Sequence, residues 1–228
     1  SKELSIKGYF IREGGEIYSF EQNVNRAADE VEKMVASMHE CYNQLDDALP
    51  ITDDDSDLWT TFSYISITED EKEAVKQGID SLRENLPLLF AFCDIKSVYI
   101  DGEALQPVNH NTEWGRTTTI DGKTTYLMNG NCSNDGNNHP FQIALTIKDG
   151  VLLDMKSMPS VFVGMPLVET GDFLKLPFAI NSFYFQPTQE RDSLRDSALN
   201  RSILKEAIGT YLRLVETVTQ NKKIKNPW

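Results

Sequence analysis

The spacing of hydrophobic residues predicts two helices in the first part of the chain. Over residues 26–49, apolar side chains recur every three to four positions, which is typical of one buried helical face. The second helix opens at Thr68, with Glu71 three residues later in the spacing of a capping box. We expect Pro87 to end or kink this second helix. The buried face of the first helix is predicted to consist of Val31, Met34, Val35, Met38, Tyr42 and Leu45.

Segments of alternating or β-branched composition predict strands around these helices. Near the N-terminus, "LSIKGYF" and "EIYSF" flank "IREGG" as a hairpin, and "LWTTFSYISI" is a further strand. From Asp94 onward the period is alternating, and Asp121-Gly122 marks a two-residue hairpin turn. Between the alternating segments, "NGNCSNDGNN" is predicted to be a polar loop. The clearest strand is "FQIALTI", whose core face carries Phe141, Ile143, Leu145 and Ile147.

The last part of the chain combines two apolar strands, "SVFVGMPL" and "PFAINSFYF", with a long amphipathic helix. The whole pattern predicts an α+β fold, in which a mostly antiparallel sheet carries packed helices. The boundary is expected near residues 67–71, which separates residues 1–68 from residues 69–228. The apolar face of the C-terminal helix is predicted to consist of Leu199, Ile203, Leu204, Ala207, Ile208, Tyr211, Leu212, Val215 and Val218.

Charge and cysteine content narrow the classes of function. The chain has 35 acidic and 22 basic residues, a net charge of -13, which argues against binding to nucleic acid or an anionic membrane. No apolar run approaches the roughly 20 residues that span a bilayer. The three cysteines give no disulfide framework; Cys41 and Cys93 are predicted to be reduced core thiols, which suits a cytoplasmic protein. Because the chain begins with Ser1 rather than Met, we expect it to be a segment of a longer protein.

Familiar catalytic and metal-binding motifs are missing from the sequence. "GRTTTIDGKT" resembles a phosphate-binding loop, but six residues separate Gly115 from Gly122 where that loop needs four, so a hairpin is favoured. His39 and Cys41 stand two apart on a helix and do not face one another. No serine-hydrolase elbow is present, and no two acidic residues are selected as a catalytic pair. A stand-alone hydrolase is therefore disfavoured.

Arg191 is the one candidate functional residue. It stands between Glu190 and Asp192, in a loop that joins an apolar strand to the C-terminal helix. One interpretation is a surface arginine paired with Glu190, Asp192 or Asp196. The other is a guanidinium delivered to a nucleotide phosphate in a neighbouring domain, since its planar, permanently charged fork matches phosphate oxygens.

A family resemblance is carried by two blocks of the chain, one that starts at "WTTFSYISI" and one that starts at "LPFAINSFYFQPTQERDSL". These blocks resemble GHKL-type ATPases, namely the ninety-kilodalton heat-shock chaperones and the sacsin-like proteins. "LPFAINSFYFQPTQERDSL", followed by "NRSILKEAIGTYL", is similar to the region that comes after their nucleotide-binding domain. "WTTFSYISI" and "LPLLFAFCDIKSVYI" are similar to the passage out of that domain. The Asp-x-Gly-x-Gly signature of the ATP site is absent from this chain. The positions that match the first block are Leu176, Pro177, Asn181, Arg191, Asp192, Leu194, Asn200, Ile203 and Leu204.

The resemblance implies a role within a larger ATPase. Residues 1–68 would be the tail of, or an insertion after, an ATPase domain, and residues 69–228 a transducer-like domain. The chain would not bind nucleotide itself; ATP and Mg would belong to the parent protein, and Arg191 would contact the γ-phosphate. Its partners would be the preceding ATPase domain, protein clients and, compatibly with the resemblance, a second copy in a homodimer. The alternative is a protein-interaction module with no role in ATP hydrolysis.

Overall fold

A computed structural model of the protein describes residues 3–25, 30–51, 59–64, 68–155, 158–167 and 176–220. These residues form an α+β fold, as predicted, with helices packed on mainly antiparallel sheets. The chain divides into two compact units, Ser1–Ile79 and Asp80–Trp228. No helix within the described ranges is long and apolar enough to cross a membrane. The acidic segment "TDDDSD" (residues 52–57) and the basic segment "NKKIK" (residues 221–225) lie outside the described residues.

The first unit contains a small antiparallel sheet and one helix. The predicted N-terminal hairpin is confirmed, and the strand order is β3-β2-β1-β4. The helix lies beside β2, where the side chain of Gln22 donates a hydrogen bond to the carbonyl of Cys41 over 2.7 Å. The elements are β1 (Glu3–Ile11), β2 (Ile17–Asn25), α1 (Val31–Asp46), β3 (Leu49–Pro50) and β4 (Thr61–Tyr64).

The predicted buried face of α1 is wrong. No residue of α1 is buried, and Val31, Met38 and Tyr42 are 65%, 53% and 61% exposed. The helix ends at Asp46, before the predicted end at residue 49, because the chain there turns into β3. A three-to-four spacing reports that a helix is amphipathic, but it does not report whether another element covers the apolar side.

The second unit is built around a large sheet with a helix on each face. The strand order is β13-β12-β14-β10-β9-β8-β7, with β11 paired to β10, and only β12 and β14 run parallel among these described strands. The long helix α2 (Glu69–Phe92) begins before residue 80 and places its C-terminal half in this unit. The remaining elements are β5 (Val98–Ile100), β6 (Glu103–Leu105), β7 (Val108–Thr112), β8 (Gly115–Ile120), β9 (Lys123–Asn134), β10 (Asn137–Lys148), β11 (Val151–Leu152), β12 (Val161–Val163), β13 (Met165–Pro166), β14 (Ala179–Asn181) and α3 (Ala198–Gln220).

The two faces of this sheet follow the predicted alternation in "FQIALTI". Phe141 and Ile143 belong to the apolar cluster that includes α3, whereas Ala144 belongs to the cluster that includes the end of α2. On that second side, the rings of Phe92 and Phe162 lie 4.8 Å apart. The sheet is therefore the middle layer between two helices, and each face supplies its own core.

Asp-Gly turns join several of these strands. The predicted turn at Asp121-Gly122 is confirmed, with φ angles of 49° and 69° that suit a two-residue hairpin. The predicted polar loop at residues 129–138 is wrong: it is the tip of the β9–β10 hairpin, which turns at Asp135-Gly136 with φ of 51° and 76°. The segment alternates as a strand does, but its exposed positions are polar. Its polar composition therefore masks the two-residue period that would have predicted a strand.

Pro87 does not end α2, which was one of its two expected effects; the other, a kink, stays a prediction. The helix continues to Phe92, and every residue from Leu86 to Phe92 is buried. A proline inside a helix costs about 3 kcal/mol, because it removes one hydrogen bond and crowds the preceding turn. Burial of large apolar side chains such as Leu88 and Leu89 is worth about 1.5–3 kcal/mol each, so packing outweighs that cost.

Near the C-terminus, the strands are shorter and the helical face differs from the prediction. "SVFVGMPL" is a hairpin of β12 and β13 that turns at Gly164, and "PFAINSFYF" contains only the three residues of β14. On α3, Ile208 and Leu212 are 54% and 60% exposed. The residues of α3 that are buried are Asn200, Ile203, Ala207, Thr210, Leu214 and Val218.

Candidate functional site

Arg191 lies at the tip of a closed loop between β14 and α3, which we call the arginine loop (residues 186–195). At its base, the amide of Arg195 donates to the carbonyl of Gln186 over 2.9 Å. Pro187 and Leu194 then form an antiparallel bridge. These contacts bring the two arms together, so the tip is a defined turn and not an open linker.

Thr188 organises the tip from inside the loop. Its hydroxyl donates to a carboxylate oxygen of Asp192 over 2.6 Å and accepts from the amide of Ser193 over 3.3 Å. The carbonyl of Thr188 accepts from the amide of Arg191 over 3.2 Å. Arg191 has φ of 57°, a left-handed conformation that side chains other than glycine adopt at a cost of about 1–2 kcal/mol. The turn around Thr188 therefore holds the arginine in a conformation that it would not adopt freely.

Asn200 fastens both arms of the arginine loop to the first turn of α3. Its side chain is 3% exposed. The amide nitrogen donates to the carbonyls of Gln186 and Arg195 over 2.9 and 2.8 Å, and the amide oxygen accepts from the Gln186 amide over 2.9 Å. Ser197 caps the helix by accepting from the backbone amide of Asn200. A displacement of α3 would thus carry the loop with it.

The guanidinium of Arg191 is exposed and forms no ion pair with any residue in the described ranges. Of the predicted pairing partners, Asp196 binds Arg201, Asp192 accepts from the Thr188 hydroxyl, and Glu190 forms no ion pair within the same ranges. The fork of donors on Arg191 therefore faces solvent. Such an arrangement suits an oxyanion, because a permanently charged guanidinium with open donors matches the oxygens of a carboxylate or phosphate.

Other chemistry is poorly supported within the described part of the chain. Burial raises the pKa of the Cys93 thiol and of the Cys132 thiol, so neither is a ready nucleophile. Cys132 is 1% exposed, whereas Cys41 and Cys93, the predicted core thiols, are only partly buried. No group of three or more metal-ligating side chains is found among the described residues. What the arginine loop offers is an exposed positive charge on a backbone turn that hydrogen bonds hold in place.

The sequence singles out Arg191 as a candidate but does not predict the residues that hold its loop. Asn200 belongs to the resemblance block only as a residue of the helix, and nothing in its neighbourhood predicts that it is buried. Thr188 four residues before Asp192 is a weak turn signal. Their roles depend on contacts between the loop and α3.

Comparison of the chain with models of known protein families and with curated proteins gives no match. The link to GHKL-type ATPases therefore stands on the quoted residues alone.

Proposed function

We propose that this chain is the middle, transducer-like segment of a chaperone-like GHKL ATPase. In this proposal, Arg191 contacts the γ-phosphate of ATP held by a preceding domain of the same protein. The observation that carries the proposal is the arginine loop, which presents on a closed turn an exposed guanidinium with no ion-pair partner among the described residues. The segment would act in the cytoplasm, in keeping with its free cysteines.

The proposed mechanism requires this chain to supply one positive charge, at the γ-phosphate of ATP. Phosphoryl transfer builds negative charge on the oxygens of the transferred group, and a prepositioned cation stabilises that charge. ATP and Mg would be held by the preceding domain, and no residue of this chain is assigned to hold them. Because Asn200 binds the arginine loop to α3, Arg191 can reach the ATP site of the preceding domain only if α3 and the sheet move together with the loop. This would couple the nucleotide state to later parts of the protein.

The direct test is steady-state ATP hydrolysis by the full-length parent, wild type against Arg191→Ala. We expect kcat to fall by about ten-fold or more while nucleotide binding is kept, as loss of a transition-state contact implies. Arg195→Ala is a matched control, since Arg195 is an exposed arginine of the same loop whose contacts there use the backbone. An unchanged kcat for Arg191→Ala in an active parent would contradict the proposal.

A second test uses this chain alone. We expect no binding of Mg-ATP in calorimetry, because the chain lacks the Asp-x-Gly-x-Gly signature of the family's ATP site. Binding with a micromolar dissociation constant would show that the chain carries a nucleotide site of its own, and the transducer assignment would be wrong.

The second candidate function is a protein-interaction module in which Arg191 has no catalytic role. It is favoured by the uncovered apolar face of α1, where Met34 and Met38 are 51% and 53% exposed. Exposed apolar patches of this kind commonly mark protein-binding surfaces. The coding sequence upstream of Ser1 discriminates between the two candidates: a parent that lacks Asp-x-Gly-x-Gly favours the interaction module.

A further inference from the structure

A polar cleft of about 600 Å³ lies on the second unit's sheet, apart from the arginine loop. Its floor is the side of the sheet on which Leu127 packs with the end of α2. The cleft lies where the apolar residues of that side are followed by the amide side chains of Asn129 and Gln142. A volume of this size is within the range of small-molecule sites. The polar side chains that line it come from β7 to β10 and the turn between β7 and β8: Asn111, Thr112, Glu113, Arg116, Asn129 and Gln142.

Three amide side chains form a directed chain of hydrogen bonds that ends at the cleft. The backbone N–H of Gly164 can only donate, and it donates to the side-chain oxygen of Asn181 over 3.0 Å. The nitrogen of Asn181 therefore donates to the oxygen of Gln142 over 3.4 Å, and the nitrogen of Gln142 donates to the oxygen of Asn129 over 3.2 Å. The last member, Asn129, is left with its two N–H groups at the cleft and no acceptor among the described residues.

Arg116 supplies a second donor group at the same place. It pairs across the strands with Leu127, two residues before Asn129 on the same face of β9. Its Nη2 donates to the carbonyl of Ala91 in the last turn of α2, which fixes the guanidinium. Its Nε is buried and has no partner in the described part of the chain. No described carboxylate forms an ion pair with it. Nearby Asp94 pairs with Lys96, which is the main cause of the lowered pKa of Asp94, and the Arg116 charge adds to that effect.

We propose that this cleft binds the oxyanion of a small ligand, a carboxylate or a phosphoryl group, between Arg116 and Asn129. Arg116 lines the cleft, and apart from the Nη2 bond to Ala91 its N–H groups have no acceptor among the described residues. The Nδ2 donors of Asn129 likewise lack one, whereas a carboxylate or phosphate offers only acceptors. The guanidinium brings the charge, and the amide chain orients the Asn129 donors toward the same space. Glu113 also lines the cleft, but it is exposed at the end of a hairpin, where solvent and salt screen its repulsion.

The proposal can be tested by titrating the isotopically labelled chain with acetate and with inorganic phosphate, at constant ionic strength and pH 7. We expect saturable shifts of backbone amide resonances at residues 111–116 and at Asn129 and Gln142. Asn129→Asp should weaken the affinity by about ten-fold or more, because it replaces the donors with a negative charge. Asn129 is exposed, so this variant should keep the fold.

Asn131→Asp is the matched control. Asn131 lies two residues further along the same face of β9, is exposed, and is not among the residues that line the cleft. The charge change is therefore identical, and we expect the affinity to stay within about two-fold of wild type because the added charge is screened. A response to acetate alone assigns a carboxylate ligand, a response to phosphate alone assigns a phosphoryl ligand, and both support an oxyanion site.

Two outcomes would overturn the proposal: no saturable shifts with either anion, or equal affinities for wild type and Asn129→Asp. Either would mean that the cleft holds water only. None of these measurements involves Arg191 or ATP hydrolysis, so the result is independent of the transducer proposal.

Discussion

The two units of this protein handle their apolar side chains in opposite ways. In the second unit, both faces of the sheet are covered, and Ile143, Phe162 and Ile180 have no exposed surface. In the described part of the first unit, Gly8 is the only buried residue, and aromatic side chains such as Phe62 on β4 are more than half exposed. Both units contain the same kinds of pattern, an amphipathic helix beside a β-sheet. The difference shows that a hydrophobic pattern predicts which face of an element is apolar, but does not predict which other element, if any, packs on that face.

The largest expected effect tests whether the buried side chains of the second unit contribute more to stability than the exposed apolar side chains of the first. Phe162→Ala removes a fully buried ring that packs on Phe92, and we expect the free energy of unfolding to fall by about 3–5 kcal/mol. Met38→Ala in α1 removes a side chain that is 53% exposed. This variant should change the free energy of unfolding by no more than about 0.5 kcal/mol. Urea unfolding followed by circular dichroism measures both. Equal losses would mean that the apolar face of α1 is covered in solution.

A smaller effect is expected at the join between the arginine loop and α3. Asn200→Ala removes three hydrogen bonds and takes from the Gln186 amide and the Arg195 carbonyl the partner that each has in the structure, which should cost about 2–3 kcal/mol. Asn137→Ala is the control, because Asn137 is exposed and makes a single long hydrogen bond of 3.5 Å. Thermal unfolding of the two variants measures the difference. If Asn200→Ala were as mild as the control, the loop would not depend on Asn200.

A third comparison takes one thiol from each unit. Cys132 in the second unit is buried, and burial, together with the nearby Glu206 carboxylate, raises its pKa; Cys41 in the first unit is partly exposed. In the native chain at pH 8, a thiol reagent should therefore modify Cys41 about 100-fold or more faster than Cys132, as followed by mass spectrometry. Similar rates would place Cys132 in a segment that opens readily.

The same pKa shift gives a dependence of stability on pH. The folded-state pKa of Cys132 lies above its unfolded value of about 8.5. Its contribution is therefore fully present below that pH and is lost as the pH rises toward the folded-state pKa, because only the unfolded chain ionises in this window. We expect Cys132→Ala to reduce the fall in the free energy of unfolding between pH 8 and pH 10, measured in urea at each pH.

Sequence patterns predict the fold class and several local features correctly. Thr68 and Glu71 exchange the hydrogen bonds of a capping box, and the faces of the strand around Phe141 are as expected. Arg191 lies in a loop between a strand and a helix, as predicted; its contact with a phosphate stays a prediction. The oxyanion cleft was not foreseen, because Arg116 and Asn129 lie on separate strands and neither stands out within its own segment.

By itself, the sequence determined the features that depend on near neighbours. The Asp121-Gly122 turn follows from backbone preferences of two residues, and the capping box at Thr68 from groups three positions apart. Only the tertiary structure decided that α2 continues through Pro87, that Asn200 is buried against the arginine loop, and that α1 keeps an open apolar face. Those outcomes depend on the surface that a remote segment supplies, and burial free energy of several kcal/mol can override a local preference of about the same size.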